Sequence, residues 1–138
     1  MDMDKAGVRA MIVAGLGCRK GSTAEEILSA LDAACAAARI SRESVAALAT
    51  GEIKREEPGI LELAETLRLP LHIVDDDALL QAEPRTRTVS RHSLAKTLAS
   101  SLSEAAALAV AGDRSEILVP RLIANGATCA LAATKEKA

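Results

Sequence analysis

The chain alternates between short apolar runs and longer stretches in which apolar residues return every three or four positions. Residues 8–15 form a largely apolar run with β-branched Val and Ile, which predicts a central strand. From Thr23 to about Arg39, the residues Ala24, Ile27, Leu28, Leu31, Ala34, Cys35 and Ala38 follow helical spacing and predict an amphipathic helix. Ser44–Thr50 is a second apolar run, closed by Gly51. Pro58 suits the first position of a helix whose buried face is Ile60, Leu61, Ala64 and Leu67. Leu69-Pro70 ends that helix, and Leu71–Val74 is a third strand. Asp75–Asp77 opens a turn into a short helix over 76–82, and residues 83–93 are expected to form an exposed, mobile loop. Helix returns within 94–111 and stops at Gly112-Asp113. Glu116–Val119 and Ala127–Ala133 predict two more strands, joined by Pro120–Gly126, and their closeness favours an antiparallel hairpin. Residues 134–138 read as a frayed tail.

This alternation predicts a three-layer α/β/α fold with a mixed, mostly parallel sheet of about five strands. The 138 residues are expected to form a single domain, 1–138, with its core at about 8–133. A 49% hydrophobic content excludes disorder. Phe, Tyr and Trp are absent, so the core must be built from Ala, Val, Leu and Ile in closely packed elements. A planar ligand would then be held by backbone groups, aliphatic contacts and charges. The net charge of −2 and the missing aromatic rings argue against nucleic acid as a partner. The sequence holds no apolar run of about 18 residues, so no membrane span is expected. The polar start Met1–Lys5 does not resemble a secretion signal. Cys18, Cys35 and Cys129 are too few and too scattered for a disulfide scaffold or a zinc site. A cytoplasmic protein with free thiols, no metal and no cofactor is the expectation, with self-association into a homo-oligomer left open.

Candidate chemistry gathers where strands end, because ligands of open α/β sheets collect at the carboxyl ends of the parallel strands. The first such end, Gly15-Leu-Gly-Cys-Arg-Lys-Gly21, reads as a glycine-rich turn in which Gly15, Gly17 and Gly21 allow unusual backbone angles and close approach of a ligand. Ser22 or Thr23 can cap the following helix, with Glu25 or Glu26 closing a capping box. Unpaired N–H groups beside Arg19 and Lys20 would make an anion seat. Thr50, Lys54 and Arg55 mark a second strand end. Glu56 and Glu57 there read either as acid/base groups or as favourable helix N-terminal charges. Arg121, Asn125 and Gly126 belong to a turn that could join them, although Asn-Gly also simply suits a tight turn. Arg85, Arg87 and Arg91 either fold over an anionic ligand or form an ordinary exposed loop. Cys18 lies near a helix start but lacks an evident base, which favours a spectator thiol, whereas Cys35 and Cys129 belong to the core. His72, inside a strand, is expected to be buried and hydrogen-bonded. His92, at a loop–helix junction, is a weak candidate for a base or a metal ligand. Glu104 carries helix N-terminal charge or lines the site.

Four of these motifs occur in order: Gly15–Gly21, Ala49-Thr-Gly-Glu-Ile-Lys-Arg-Glu-Glu-Pro-Gly59, Ser103-Glu-Ala-Ala-Ala-Leu108, and Leu118-Val-Pro120 with Asn125-Gly-Ala-Thr128. Together they resemble the cobalamin-biosynthesis family of CobE and the C-terminal domain of CbiG, over about residues 8–133. On its length the chain is expected to be the free-standing form, without the N-terminal half of the two-domain relatives. The resemblance implies a place in making the corrin ring of vitamin B12. Two-domain relatives are linked to opening the lactone of a ring-contracted precorrin with loss of acetaldehyde. The expected role is to bind a polycarboxylate precorrin or corrin intermediate and assist ring contraction and methylation, alongside other enzymes of the pathway. The first alternative is a cobalt-precorrin-5A hydrolase-like enzyme, for which Glu56, Glu57, Glu104 and His92 are the weak acid/base candidates. The second is a phosphate- or nucleotide-binding module, which lacks the Walker A and GxGxxG spacings.

Overall fold

The computed structural model describes residues 11–86, 102–112 and 114–134. Strand β1 is Ile12–Cys18, followed by α1 (Ala24–Ala38), β2 (Val45–Gly51), α2 (Pro58–Leu67), β3 (Leu71–Val74) and α3 (Asp76–Ala82). Then come α4 (Leu102–Ala111), β4 (Ser115–Ala124) and β5 (Ala127–Thr134). The five strands form one sheet in the order β3-β2-β1-β5-β4. The β1–β2 and β2–β3 pairs are parallel, and β1–β5 and β5–β4 are antiparallel. All strands except β5 therefore run the same way.

Helix boundaries follow from local chemistry. Thr23 caps α1 by accepting from the Glu26 N–H at 3.1 Å, and Glu26 returns the bond to the Thr23 N–H at 3.0 Å. Pro58 opens α2, where its missing N–H costs nothing. Asp75 caps α3 through the Ala78 N–H at 2.8 Å. Helices α1 and α2 cover one face of the sheet through Ile27, Leu31, Ile60 and Leu63, packed on Ala14, Leu16, Leu48 and Leu131. Helices α3 and α4 cover the other through Leu79, Ala82, Ala105 and Leu108, packed on Val13, Ala47, Ala49 and Ala132. This is the expected three-layer arrangement.

Leu61, expected on the buried face of α2, is 44% exposed, and Leu63 takes its place in the core. Four further local expectations change. The first strand is displaced towards the C-terminus, so Gly15 and Gly17 sit inside β1 and not in a turn. Gly15 is required by packing: a methyl group there would overlap the Ser103 carbonyl oxygen of α4. Strand β4 continues through Pro120, and the connection shrinks to Asn125-Gly126, whose φ values of 53° and 81° suit a tight type I′ hairpin turn. An edge strand tolerates proline because one side needs no ladder donors, and Pro120 falls within a register shift between Val119 and Leu122. His72 is exposed, because β3 is the other edge strand and has a neighbour on one side only. Finally, Glu83–Arg85 form a 3-10 turn, from which the Arg85 guanidinium donates to the carbonyls of Gly112 at 3.3 Å and Ser115 at 3.0 Å. Arg85 thus binds carbonyl groups just beyond the end of α4. Arg87, Arg91 and His92 lie outside the described residues.

The contact between α4 and β1 yields a direct test. Gly15→Ala should lower the free energy of unfolding by about 3 kcal/mol or more, because the clash is with backbone and cannot be relieved by a rotamer change. Urea unfolding followed by circular dichroism measures it. Gly112→Ala, where no atom lies within 4 Å of the added methyl, adds no clash, and its cost comes from the φ of 105° alone.

Candidate functional site

The sheet topology collects the predicted loops along one edge. The carboxyl ends of β1, β2 and β3 lead into α1, α2 and α3 there. Helix α4 also starts at that edge: a methyl placed on Gly51 would meet Leu102, and one on Gly17 would approach Ser103. At the far end of the sheet, the Ala111 carbonyl accepts from the Thr134 hydroxyl. All four described helices therefore point their positive N-terminal ends at the same edge. The β4–β5 hairpin joins it, since Cys18 is paired with Ala127 and the Arg19 N–H donates to the Gly126 carbonyl at 3.2 Å. The Arg19 side chain lies over Gly126, with Cδ and Nε 3.5 Å from where a Cβ would stand. The elements carrying Arg19, Lys20, Lys54, Arg55, Asn125 and Gly126 thus meet along one edge.

Part of the backbone of the expected anion seat is already engaged. The Gly21 N–H donates to Glu57 Oε2 at 2.7 Å, the Ser22 N–H to the Arg19 carbonyl at 3.0 Å, and the Thr23 N–H to Glu26. Two of these donors are taken by the chain's own carboxylates, and the cationic side chains of the loop stand outside them. Arg19 and Lys20 are exposed, as is Arg55. Lys54 is mostly covered and lies 3.6 Å from Glu57 Oε1. Beside them Ile53 is 75% exposed, an apolar side chain on a charged rim.

Several other predicted site residues hold the scaffold. Thr50 is fully buried, and its hydroxyl donates to the Leu16 carbonyl at 2.8 Å, tying β2 to β1. Glu104 is fully buried in α4, and its Oε2 accepts from the Arg121 N–H at 2.8 Å, between the shifted parts of β4. Glu57 is held as described. Neither Glu57 nor Glu104 is a carboxylate presented to solvent, while Glu56 is exposed. Sequence reasoning missed Ser103 and Thr128, whose hydroxyls bond each other between α4 and β5 beneath this edge. It singled out neither Ile53 nor the tie between the two loops.

Cys18 is partly exposed at the end of β1. Burial pushes its thiol above the ordinary value, Lys54 opposes this, Glu57 adds to it, and a hydrogen bond with Ser22 opposes it again. Burial also raises Cys129, which lies in the core with Cys35. Among the described residues no group of three or more His, Cys, Asp or Glu side chains could hold a metal ion. No helix there is long and apolar enough to cross a membrane. A concavity of about 570 Å³ lined by Ser41, Arg42, Glu43, Val45, Thr66, Leu67 and Leu69 lies at the opposite end of the sheet and contains none of the predicted residues.

The thiol environment has a measurable consequence. Alkylation of Cys18 by iodoacetamide should reach half of its maximal rate at a higher pH than alkylation of free cysteine, because only the thiolate reacts. Lys54→Met should move that midpoint further up by removing the opposing charge. Mass spectrometry of the Cys18 peptide across pH reads both.

Comparison with known proteins adds the family. The family model described as "Cobalamin synthesis G C-terminus" matches residues 12–132. Protein CobE of Sinorhizobium sp is 32% identical over 128 residues, covering 93% of this chain and 82% of the relative. The crystal structure of CobE, described as a protein from the cobalamin (vitamin B12) biosynthetic pathway, superposes with a TM-score of 0.84 at 34% identity and 94% coverage of both chains. Cobalamin biosynthesis protein chiG from Agrobacterium tumefaciens is 40% identical with a TM-score of 0.72, over 90% of this chain and 98% of the other. A cobalt-precorrin-5A hydrolase from Priestia megaterium is 39% identical over 54 residues, only 14% of its length. With its fold, its ordered motifs and these relatives in agreement, the chain belongs to the family of CobE and the CbiG C-terminal domain, in the cobalamin-biosynthesis pathway.

Proposed function

We propose that this chain binds a polycarboxylate precorrin or corrin intermediate along the carboxyl edge of its sheet and assists the ring-contraction and methylation stage of the pathway. The observation that carries this reading is the display of Arg19, Lys20 and Arg55 as exposed cations on loops that meet at one edge. Cationic side chains in this position suit carboxylates on flexible arms, and a guanidinium can grip both oxygens of one carboxylate. The converging helix N-termini add a favourable field for an anion. Ile53 offers aliphatic contact to the ring itself, the kind of contact a chain without aromatic residues must use. Asn125, in the hairpin turn, extends the same edge, while Arg121 is partly buried within β4 with its N–H on Glu104.

A hydrolase that opens a precorrin-5A-type lactone is the second reading, supported by the local likeness to cobalt-precorrin-5A hydrolase. It needs a positioned acid/base pair at the ligand. Glu57 and Glu104 are engaged in backbone hydrogen bonds within the fold, which leaves exposed Glu56 as the only described carboxylate among the candidates. Binding and delivery therefore fit the described geometry better than proton transfer. Partners in this reading are the enzymes that make or consume the intermediate, or a second copy of the chain.

The test is a titration with a stable metal-free corrinoid polycarboxylic acid, followed by absorbance at low and high salt. Binding should weaken at high salt, as screening of exposed charges requires. Arg19→Ala with Lys20→Ala should weaken it by about 1.5–3 kcal/mol for each charge-assisted bond lost, with an unchanged circular dichroism spectrum. Equal affinity in the double variant would rule out this edge as the binding surface.

A further inference from the structure

Glu57 is the charged group that the binding reading leaves without a part. Its side chain is 8% exposed, and both carboxylate oxygens are engaged. Oε2 receives the Gly21 N–H at 2.7 Å, and Oε1 lies 3.6 Å from Lys54 Nζ. The two groups that hold it come from different loops: one precedes α1, and the other lies in the turn before α2. Neither is part of the capping box of α1, in which the Thr23 hydroxyl takes the Glu26 N–H and the Glu26 carboxylate takes the Thr23 N–H. One N–H and one ammonium recognise a carboxylate, whatever it is attached to. Lys54 keeps 17% of its side chain exposed, between the exposed residues Ile53 and Arg55. At Gly21 no atom lies within 4 Å of the position a Cβ would take, so there is space beside the donor. The niche therefore lies at the same edge as the free cations.

We infer that the Gly21–Lys54 niche is a carboxylate subsite, and that Glu57 is an internal occupant which an acetate or propionate arm of an incoming ligand replaces. The identity of the arm rests on the binding reading above; the niche does not. Replacement exchanges one carboxylate for another, so Lys54 is never left as an uncompensated, half-buried charge. Glu57 regains water as it leaves. Once displaced, it stands beside exposed Glu56 and adds negative charge to the rim, which favours release of an anionic ligand. The exchange also breaks the side-chain tie that Glu57 makes between the two loops, so occupancy of the niche and their relative freedom become linked.

Small carboxylates test this without any corrinoid. Glu57→Ala should melt at a lower temperature than the parent, and sodium acetate or propionate should restore the loss along a saturating curve. Sodium chloride at equal ionic strength should not. If the variant is recovered unfolded, refolding in acetate against chloride gives the same reading: a fold regained only in the carboxylate supports the subsite, and failure in both overturns it. Glu57→Gln fills the niche with a neutral amide, so it should show no acetate effect; an equal acetate effect in that variant would mean general salt stabilisation and would overturn the inference. With the corrinoid acid as probe, Glu57→Ala should bind at least about tenfold more tightly than the parent, as expected when a competing closed state is removed. Acetate should compete in that variant alone. Acetate rescue without corrinoid binding by any form of the protein would keep the subsite and refute the larger ligand; corrinoid binding without acetate rescue would do the reverse.

Discussion

The fold depends on how closely α4 can approach β1. No side chain separates Gly15 from the Ser103 carbonyl, and only a side chain as small as hydrogen fits there. This approach lets a helix buried over most of its surface lie directly across the middle of the sheet. It also places Ser103 against Thr128 and Glu104 against the Arg121 N–H, so the same helix fixes both strands of the hairpin. A core without aromatic side chains needs such distances, since alanines fill little space and gain contact energy only at short range. The candidate site is downstream of this packing: once α4 is seated, the Asn125-Gly126 turn lies beside the Arg19 loop.

At the edge itself two electrostatic tendencies oppose each other. Converging helix N-termini and four loop cations favour an anion. The chain answers from within, with Glu26 on the Thr23 N–H and Glu57 on the Gly21 N–H and Lys54. The donors closest to the backbone are thereby neutralised, and the long flexible cations remain outermost. On the proposed reading this division suits a ligand with several carboxylates on a semi-rigid ring, since mobile cations can adjust to arms whose spacing a rigid nest could not match.

Much of this was legible in the sequence. The capping box at Thr23, Pro58 at the head of α2 and Asp75 ahead of α3 are local signals, and each helix starts where they say. The hairpin and the mixed sheet also follow from pattern. Other features depend on which element becomes a neighbour, and no local window holds that. Gly15 resembled a turn glycine because the helix that requires its small size arrives nearly ninety residues later. Pro120 looked like a connection because proline is excluded only from strands that are paired on both sides. His72 looked buried because its neighbours are apolar, but edge position was decided by sheet order. Glu57 read as helix-terminal charge, and its bond to Gly21 spans 36 positions.

On the proposed reading, that last contact bears on what a binding protein in a pathway needs. A surface with several cations facing several carboxylates gains affinity with each pair, and beyond a point tight binding becomes slow release. Among related complexes, affinity differences lie mostly in the dissociation rate. Lowering the number of cations would reduce affinity but also discrimination, because fewer arms would be read. An internal carboxylate that competes for one subsite lowers affinity while leaving the pattern of cations intact. Glu57 has the placement for this: it lies close enough to Gly21 and Lys54 to hold the niche, and it is the residue immediately before the helix that follows. Selectivity can then reside in the exposed cations and ease of transfer in the buried carboxylate, on loops that one packed sheet keeps in register.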